Sequence, residues 1–147
     1  MGLDMYLYGN KHVSTWDDKE QQQIKIDNNI NFPVAKIVYE IMYWRKANAI
    51  HNWFVTNCQG GTDDCRETYI SRTDLENLRD ICKLVLQNKD DQETILAYLP
   101  PTSGFFFGST DINEYFFQDV EQTLDMLNNV LDNPKYKSLS FTYASSW

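Results

Sequence analysis

The sequence predicts an α+β fold, a single globular domain over residues 1–147 with about three helices packed on a small, mostly antiparallel sheet. Alternating side chains in "LDMYLYG" near the start and "SLSFTYASSW" at the end read as strands. Interior segments whose apolar residues recur at i, i+3, i+4 and i+7 read as helices. With 147 residues, 42% hydrophobic and 14% aromatic, the chain can bury a core large enough to fold without staples.

Taken in order, the first strand covers "LDMYLYG" and leaves into a turn at Gly9-Asn10. Residues 14–31 are polar and rich in Asn and Gln, a loop with one small strand where Ile24 and Ile26 alternate. After Pro33, the β-branched run "VAKIVYEI" favours a strand to about Ile41, although its spacing also fits a helix. From about Tyr43 the pattern turns helical: Tyr43, Ala47, Ile50 and Phe54 form one stripe, and "QGGTDD" ends it with Gly60 available for a left-handed cap. "ETYIS" reads as a short strand. Ser71 is a good N-cap for the next helix, with Asp74 at its third position and Leu75, Leu78, Cys82 and Val85 on its apolar face. "ETILAYL", stopped by Pro100-Pro101, fits either element. Phe116, Val120, Leu124, Leu127 and Leu131 mark a helix from about Asn113 that "DNP" terminates, and Leu139, Phe141 and Tyr143 alternate along a final strand.

Thirteen basic against 21 acidic residues give a net charge of −8. A field of that sign opposes a phosphate backbone, so direct nucleic-acid binding is not expected. The acidic pairs Asp17-Asp18, Asp63-Asp64 and Asp90-Asp91 are scattered, as on a solvated surface; a stripe imitating nucleic acid would need them to align in space. No run approaches ~18 apolar residues, so no membrane span is expected. The odd count of cysteines, with an N-terminus that has neither a basic start nor a long apolar run, points to a reduced, cytoplasmic setting. His51, Cys58 and Cys65 lack paired ligand spacing, and no cysteine sits at a clear helix N-terminus. No metal, cofactor or catalytic residue is therefore expected, and an enzyme is the weaker reading.

The stretch "YWRKANAIHNWF", residues 43–54, is rich in both aromatics and donors. On a continuous helix, Trp44, Arg45, Asn48 and His51 would converge along one edge beside the apolar stripe. That mixture suits a planar or anionic ligand: Trp44 or Trp53 stacks, Arg45 and Lys46 supply charge, and Asn48 and His51 orient it. The plainer reading makes Trp44 half-core, Arg45 and Lys46 solvated, and His51 satisfied by the backbone. A second candidate is "SGFFFGST", residues 103–110, where Gly108, Ser109 and Thr110 could cradle an anion with the first amides of the following helix. It is not a Walker loop, because its glycines are four apart and no Lys follows Gly108. Its alternative is a buried strand of three phenylalanines between glycine turns, with Ser109 or Thr110 capping the helix. The pocket requires residues 43–54 and 103–111 to meet.

"MGLDMYLY", "YWRKANAIHNWFV" and "SGFFFGST" together resemble a set of small proteins encoded by bacteriophages and prophages, a likeness that runs from end to end. The resemblance implies context: a soluble protein inside a bacterial cell, accessory to infection, acting by binding a host protein or a small nucleotide signal of a defence system. The expected partner is thus a small anionic, nucleotide-like ligand. The alternatives are an acidic inhibitor that blocks a host protein, and a small nucleotide-processing enzyme. The aromatic content leaves surface for a homo-oligomer.

Overall fold

In the computed structural model, which describes residues 2–24, 26 and 29–147, the elements run β1 (Asp4–His12), α1 (Asp18–Ile24), β2 (Lys36–Arg45), α2 (Asn48–Cys58), β3 (Thr68–Ile70), α3 (Arg72–Gln87), α4 (Gln92–Tyr98), α5 (Glu114–Asp132) and β4 (Ser140–Ser146), with a 3-10 turn at Pro134–Tyr136. The class is α+β as expected, with five α-helices among the described residues where about three were predicted. All strand pairs are antiparallel, in the order β2-β1-β4-β3. The first and last strands are thus neighbours at the centre of the sheet, Leu7 opposite Tyr143 and Gly9 opposite Phe141.

Period-two alternation decides which face is buried. Met5 and Leu7 on β1, Trp44 on β2, and Phe141 and Tyr143 on β4 point to one side, where α2, α3 and α5 cover them. A bulge between Leu7 and Tyr8 places an extra residue in β2, so the positions of β2 opposite Met5 and Leu7 are Trp44 and Met42, while those opposite Gly9 and Lys11 are Tyr39 and Ile37, one residue out of phase. The centre of the core is aromatic: Phe54 of α2 stacks on Tyr143 at 4.0 Å with rings 10° apart, and Trp53 and Trp44 meet Phe54 edge-on. Trp44 also donates its indole N–H to Thr123 Oγ1 at 2.8 Å, tying β2 to α5 through a satisfied buried polar pair.

Several boundaries differ from the sequence expectation. β1 does not turn at Gly9-Asn10 but continues to His12, because Asn10 finds partners in Ser140 O and Thr142 Oγ1 across the sheet. The expected loop at 14–31 contains α1, whose first amides are capped by Asp17: its Oδ1 accepts from Lys19 and Glu20 N–H. The small strand expected at Ile24 and Ile26 is replaced at its start by the end of α1, and the residue between them lies outside the described residues. "ETILAYL" is a helix, α4, capped by Asp91. The three phenylalanines do not form a strand: Phe107 is buried, but Phe105 and Phe106 are 74% and 47% exposed on a turn closed by Phe107 N–H donating to Gly104 O. Ser109 and Thr110 do not cap α5; Asn113 does, accepting from Tyr115 and Phe116 N–H.

Other signals translate directly into local structure. Gly60 is left-handed after α2, and Ser71 and Asp74 form a reciprocal capping box on α3. Replacing Ser71 by Ala should lower stability by about 1 kcal/mol, seen as a fall of roughly 2–4 °C in the thermal midpoint. Ser71→Asp should retain most of the wild-type value.

Candidate functional site

The strand β2 does not pass smoothly into the following helix. Tyr43, Trp44 and Arg45 belong to the strand, and Lys46 turns the chain with a left-handed φ of 56° before α2 begins at Asn48. Lys46 N–H donates to Leu3 O at 2.8 Å, which pins this corner to the start of the sheet. The residue before α2, Ala47, has no side chain that can cap, and no acidic residue occupies the first turn. The positive end of α2 is therefore left without a side-chain partner.

This corner is where the second predicted segment arrives. Asn48, buried, donates from Nδ2 to Phe107 O at 3.1 Å and Ser109 O at 2.9 Å, and its Oδ1 accepts from Thr102 N–H at 3.1 Å. One amide thus fastens three points of the 102–109 loop to the start of α2. Gly108, at φ 86°, lies so close that a β-carbon there would come within 3.1 Å of Lys46 Cβ. Gly104 is crowded in the same loop, where a β-carbon would fall inside contact distance of the Phe107 ring. Residues 43–54 and 103–111 do meet.

Between the corner, the loop and the first half of α5 opens a cavity of about 340 Å³. Of the residues expected from sequence, Arg45, Lys46, Asn48, Gly108 and Ser109 line it. Arg45 is 3.8 Å from Asp4 and largely exposed; Lys46 has no ion-pair partner among the described residues. Asn48 lines the wall with its backbone and brace, its side-chain hydrogen bonds being occupied. Thr110 is exposed and outside the lining.

The other three belong elsewhere, which corrects the helix-edge expectation. A strand alternates, so Trp44 points opposite to Arg45 and into the core. Trp53 is buried against Phe54 and lies outside this cavity. His51 is fully buried between Tyr143 OH, 2.6 Å from Nδ1, and Asp63 Oδ2, 2.8 Å from Nε2. Burial, with Asp63 and the nearby cysteines adding to it, pushes the Tyr143 phenol up, so it stays protonated and donates to Nδ1. Nε2 then donates to Asp63, whose other oxygen accepts from Trp147 Nε1 at 3.0 Å. This chain locks the end of β4 onto α2 and the 60–65 loop. Burial likewise pushes the Cys58 and Cys82 thiols up to about 12, which keeps them protonated at neutral pH.

Sequence reasoning missed the far wall. Asp111, Asn113, Tyr115, Gln118, Asp119 and Gln122 complete the cavity. The signal was present: Tyr115, Gln118, Asp119 and Gln122 fall at i, i+3, i+4 and i+7, a polar strip beside the apolar stripe of α5. Asp119 stands out, because burial raises its carboxyl to about 6. The cavity is thus two-sided, with cations and a helix N-terminus at one end and carboxyls and amides at the other. A larger cleft of about 550 Å³, with Lys11, Glu40 and Lys135 in its lining, lies between β2, the end of α5 and the 134–139 turn, and no α-helix begins there.

No protein-family model matches the chain, and no curated protein or solved structure is significantly similar to it. The chemistry of the site rests on its own geometry.

That geometry makes Asn48 a brace. Asn48→Ala should cost about 2–4 kcal/mol, because it strands buried backbone groups at three points, and limited proteolysis should then cut within residues 104–109 faster than in the wild type. Asp119 allows a signed pH test. Its native carboxyl holds its proton more tightly than an ordinary one, so its favourable contribution is complete below about pH 4 and lost as pH rises through 6. Asp119→Asn should therefore raise stability at pH 8 by about 1–2 kcal/mol, solvent screening part of the effect, and give no gain at pH 4, as followed by thermal unfolding at both values.

Proposed function

We propose that this is a small phage-type accessory protein that acts by binding, holding a small anionic, nucleotide-like ligand in the cavity between the β2–α2 corner and α5. The observation that carries this reading is the uncapped start of α2 opening onto a cavity beside Arg45 and the unpartnered Lys46. Backbone amides at a helix start, with the positive end of its dipole, favour a phosphate or carboxylate, and a guanidinium can fork onto the same group. Gly108 brings the loop backbone against this end at a distance that a side chain would prevent.

The opposite wall supports a nucleotide rather than a bare anion. Asp119, Gln118 and Gln122 present acceptors and amides to the edge of a heterocyclic base, and Tyr115 adds an exposed ring at the rim. About 340 Å³ is at the lower end of small-ligand sites, enough for a mononucleotide-sized molecule. In a host cell, such a protein would sequester a nucleotide signal of a defence system. His51 and the cysteines lie outside the cavity lining, so the nucleotide-processing alternative gains no support from them.

Native mass spectrometry of protein purified from bacterial cells, followed by analysis of what denaturation releases, tests the reading. An extra mass of a few hundred daltons that matches a nucleotide is the expected result. Arg45→Ala and Lys46→Ala should each lower the occupancy, with about a tenfold loss of affinity per charge removed. A clean apo mass from cells with and without active defence systems would sink the proposal.

A further inference from the structure

The helices cover one face of the sheet, and the opposite face carries a row of tyrosines. Tyr6 and Tyr8 of β1 lie parallel, with ring centroids 5.7 Å apart and planes 2° apart, and Tyr43 of β2 leans on Tyr6 at 5.4 Å. Tyr69 of β3 faces the same side, paired with Thr142, which is itself paired with Tyr8. Tyr43 and Tyr69 are 42% and 67% exposed. At one corner Tyr43 OH donates to Asp4, which also lies 3.8 Å from Arg45, so the charges there are matched.

The middle of the face is different. Glu40 stands opposite Tyr8 on the β2 side, and Glu67 precedes β3 on the other side. Both are exposed, and neither has an ion-pair partner among the described residues. Both are near enough to Tyr8 to hold its phenol up, behind burial and Tyr6. A row of tyrosines is therefore flanked by two carboxylates that no ion pair engages.

We infer that this open tyrosine face is a docking surface for an arginine-bearing segment of a partner protein. A guanidinium is the group that answers both features at once, stacking on the tyrosine rings while its N–H groups fork onto a carboxylate. An apolar partner would bury Glu40 and Glu67 unpaired, which is costly. A single-stranded nucleic acid could stack on the rings, but the carboxylates would repel its phosphates. A second copy of this chain, docked face to face, would bring the same uncompensated charges into one interface. The surface is separate from the cavity and is tested separately from it.

The experiment titrates isotope-labelled full-length protein with a soluble peptide carrying four arginines, with its lysine counterpart, and with an eight-nucleotide oligouridylate. The arginine peptide should shift the amide resonances of Tyr6, Tyr8, Glu40, Glu67 and Tyr69 and bind about tenfold more tightly than the lysine peptide. Tyr8→Ala, and separately Glu40→Gln with Glu67→Gln, should each weaken the arginine peptide at least about fivefold; the glutamine changes are on exposed side chains and should leave thermal unfolding unchanged. Equal affinity for the two peptides, absence of binding, shifts spread over other acidic surfaces, oligouridylate binding at these residues, or a concentration-dependent dimer that shifts the same residues would each overturn the inference.

Discussion

The corner at Lys46 and Ala47 is the constraint on which the rest depends. A ten-residue strand must become a helix within two residues, and it does so by placing a lysine in the left-handed region, a conformation that costs a non-glycine residue on the order of 1–3 kcal/mol. It persists because its surroundings over-determine it. Trp44 is held inward by Thr123, Lys46 N–H is held by Leu3 O, and Asn48 is held by three backbone groups of the 102–109 loop. The neighbouring turn repeats the same economy, with Phe106 at φ 61° and Gly108 packed against Lys46. Of the three left-handed non-glycine residues among those described, Lys46 lines the cavity and Phe106 lies two residues before Gly108, which also lines it.

This corner also explains what the polar side chains of residues 43–54 are for. Their abundance suggested donors offered to a ligand. Most prove to be spent inside the protein: the Trp44 indole on Thr123, both nitrogens of His51 on Tyr143 and Asp63, and both ends of the Asn48 amide on the loop. An aromatic core brings polar edges into low dielectric with it, and each must be answered there. Donor richness next to aromatics therefore measures first how much polar satisfaction a core requires. Of the cationic groups in this stretch, Arg45, partly engaged by Asp4, and Lys46 are the ones that face outward.

What was legible in the sequence follows from the same physics. Signals carried by one residue and its immediate neighbours were readable: the Ser71–Asp74 box, the left-handed Gly60, and the apolar stripes of α3 and α5, which are long enough for their period to be unambiguous. The β2–α2 boundary was not. An inward Trp44 four residues before a helix, followed by inward Ala47, Ile50 and Phe54, leaves Tyr43 in apparent register with the helical stripe, although alternation turns it to the other face. No glycine, proline or polar cap marks the break, since a lysine supplies the turn and an alanine precedes the helix. The α1 helix was missed for the opposite reason: it buries no residue, so it has no stripe, and the Asp17 cap was its only local sign. Three adjacent phenylalanines suggested burial, yet the tight 104–107 turn admits only Phe107 to the core.

Net charge and local charge act at different ranges in this molecule. The −8 total keeps the surface solvated, but its carboxylates are spread over many elements and are screened beyond ~10 Å at ordinary ionic strength. At the β2–α2 corner the nearest groups are two cations and the positive end of an 11-residue helix, with one carboxylate, Asp4, partly engaging Arg45. On the tyrosine face the nearest unmatched groups are Glu40 and Glu67. Each surface thus presents a local field set by its own few side chains, of opposite sign, at the two sides of one strand end. The Tyr43 hydroxyl and the Asp4–Arg45 contact form the seam between them, so that cations gather at the corner while the carboxylates of the cavity, Asp111 and Asp119, stand on its far wall.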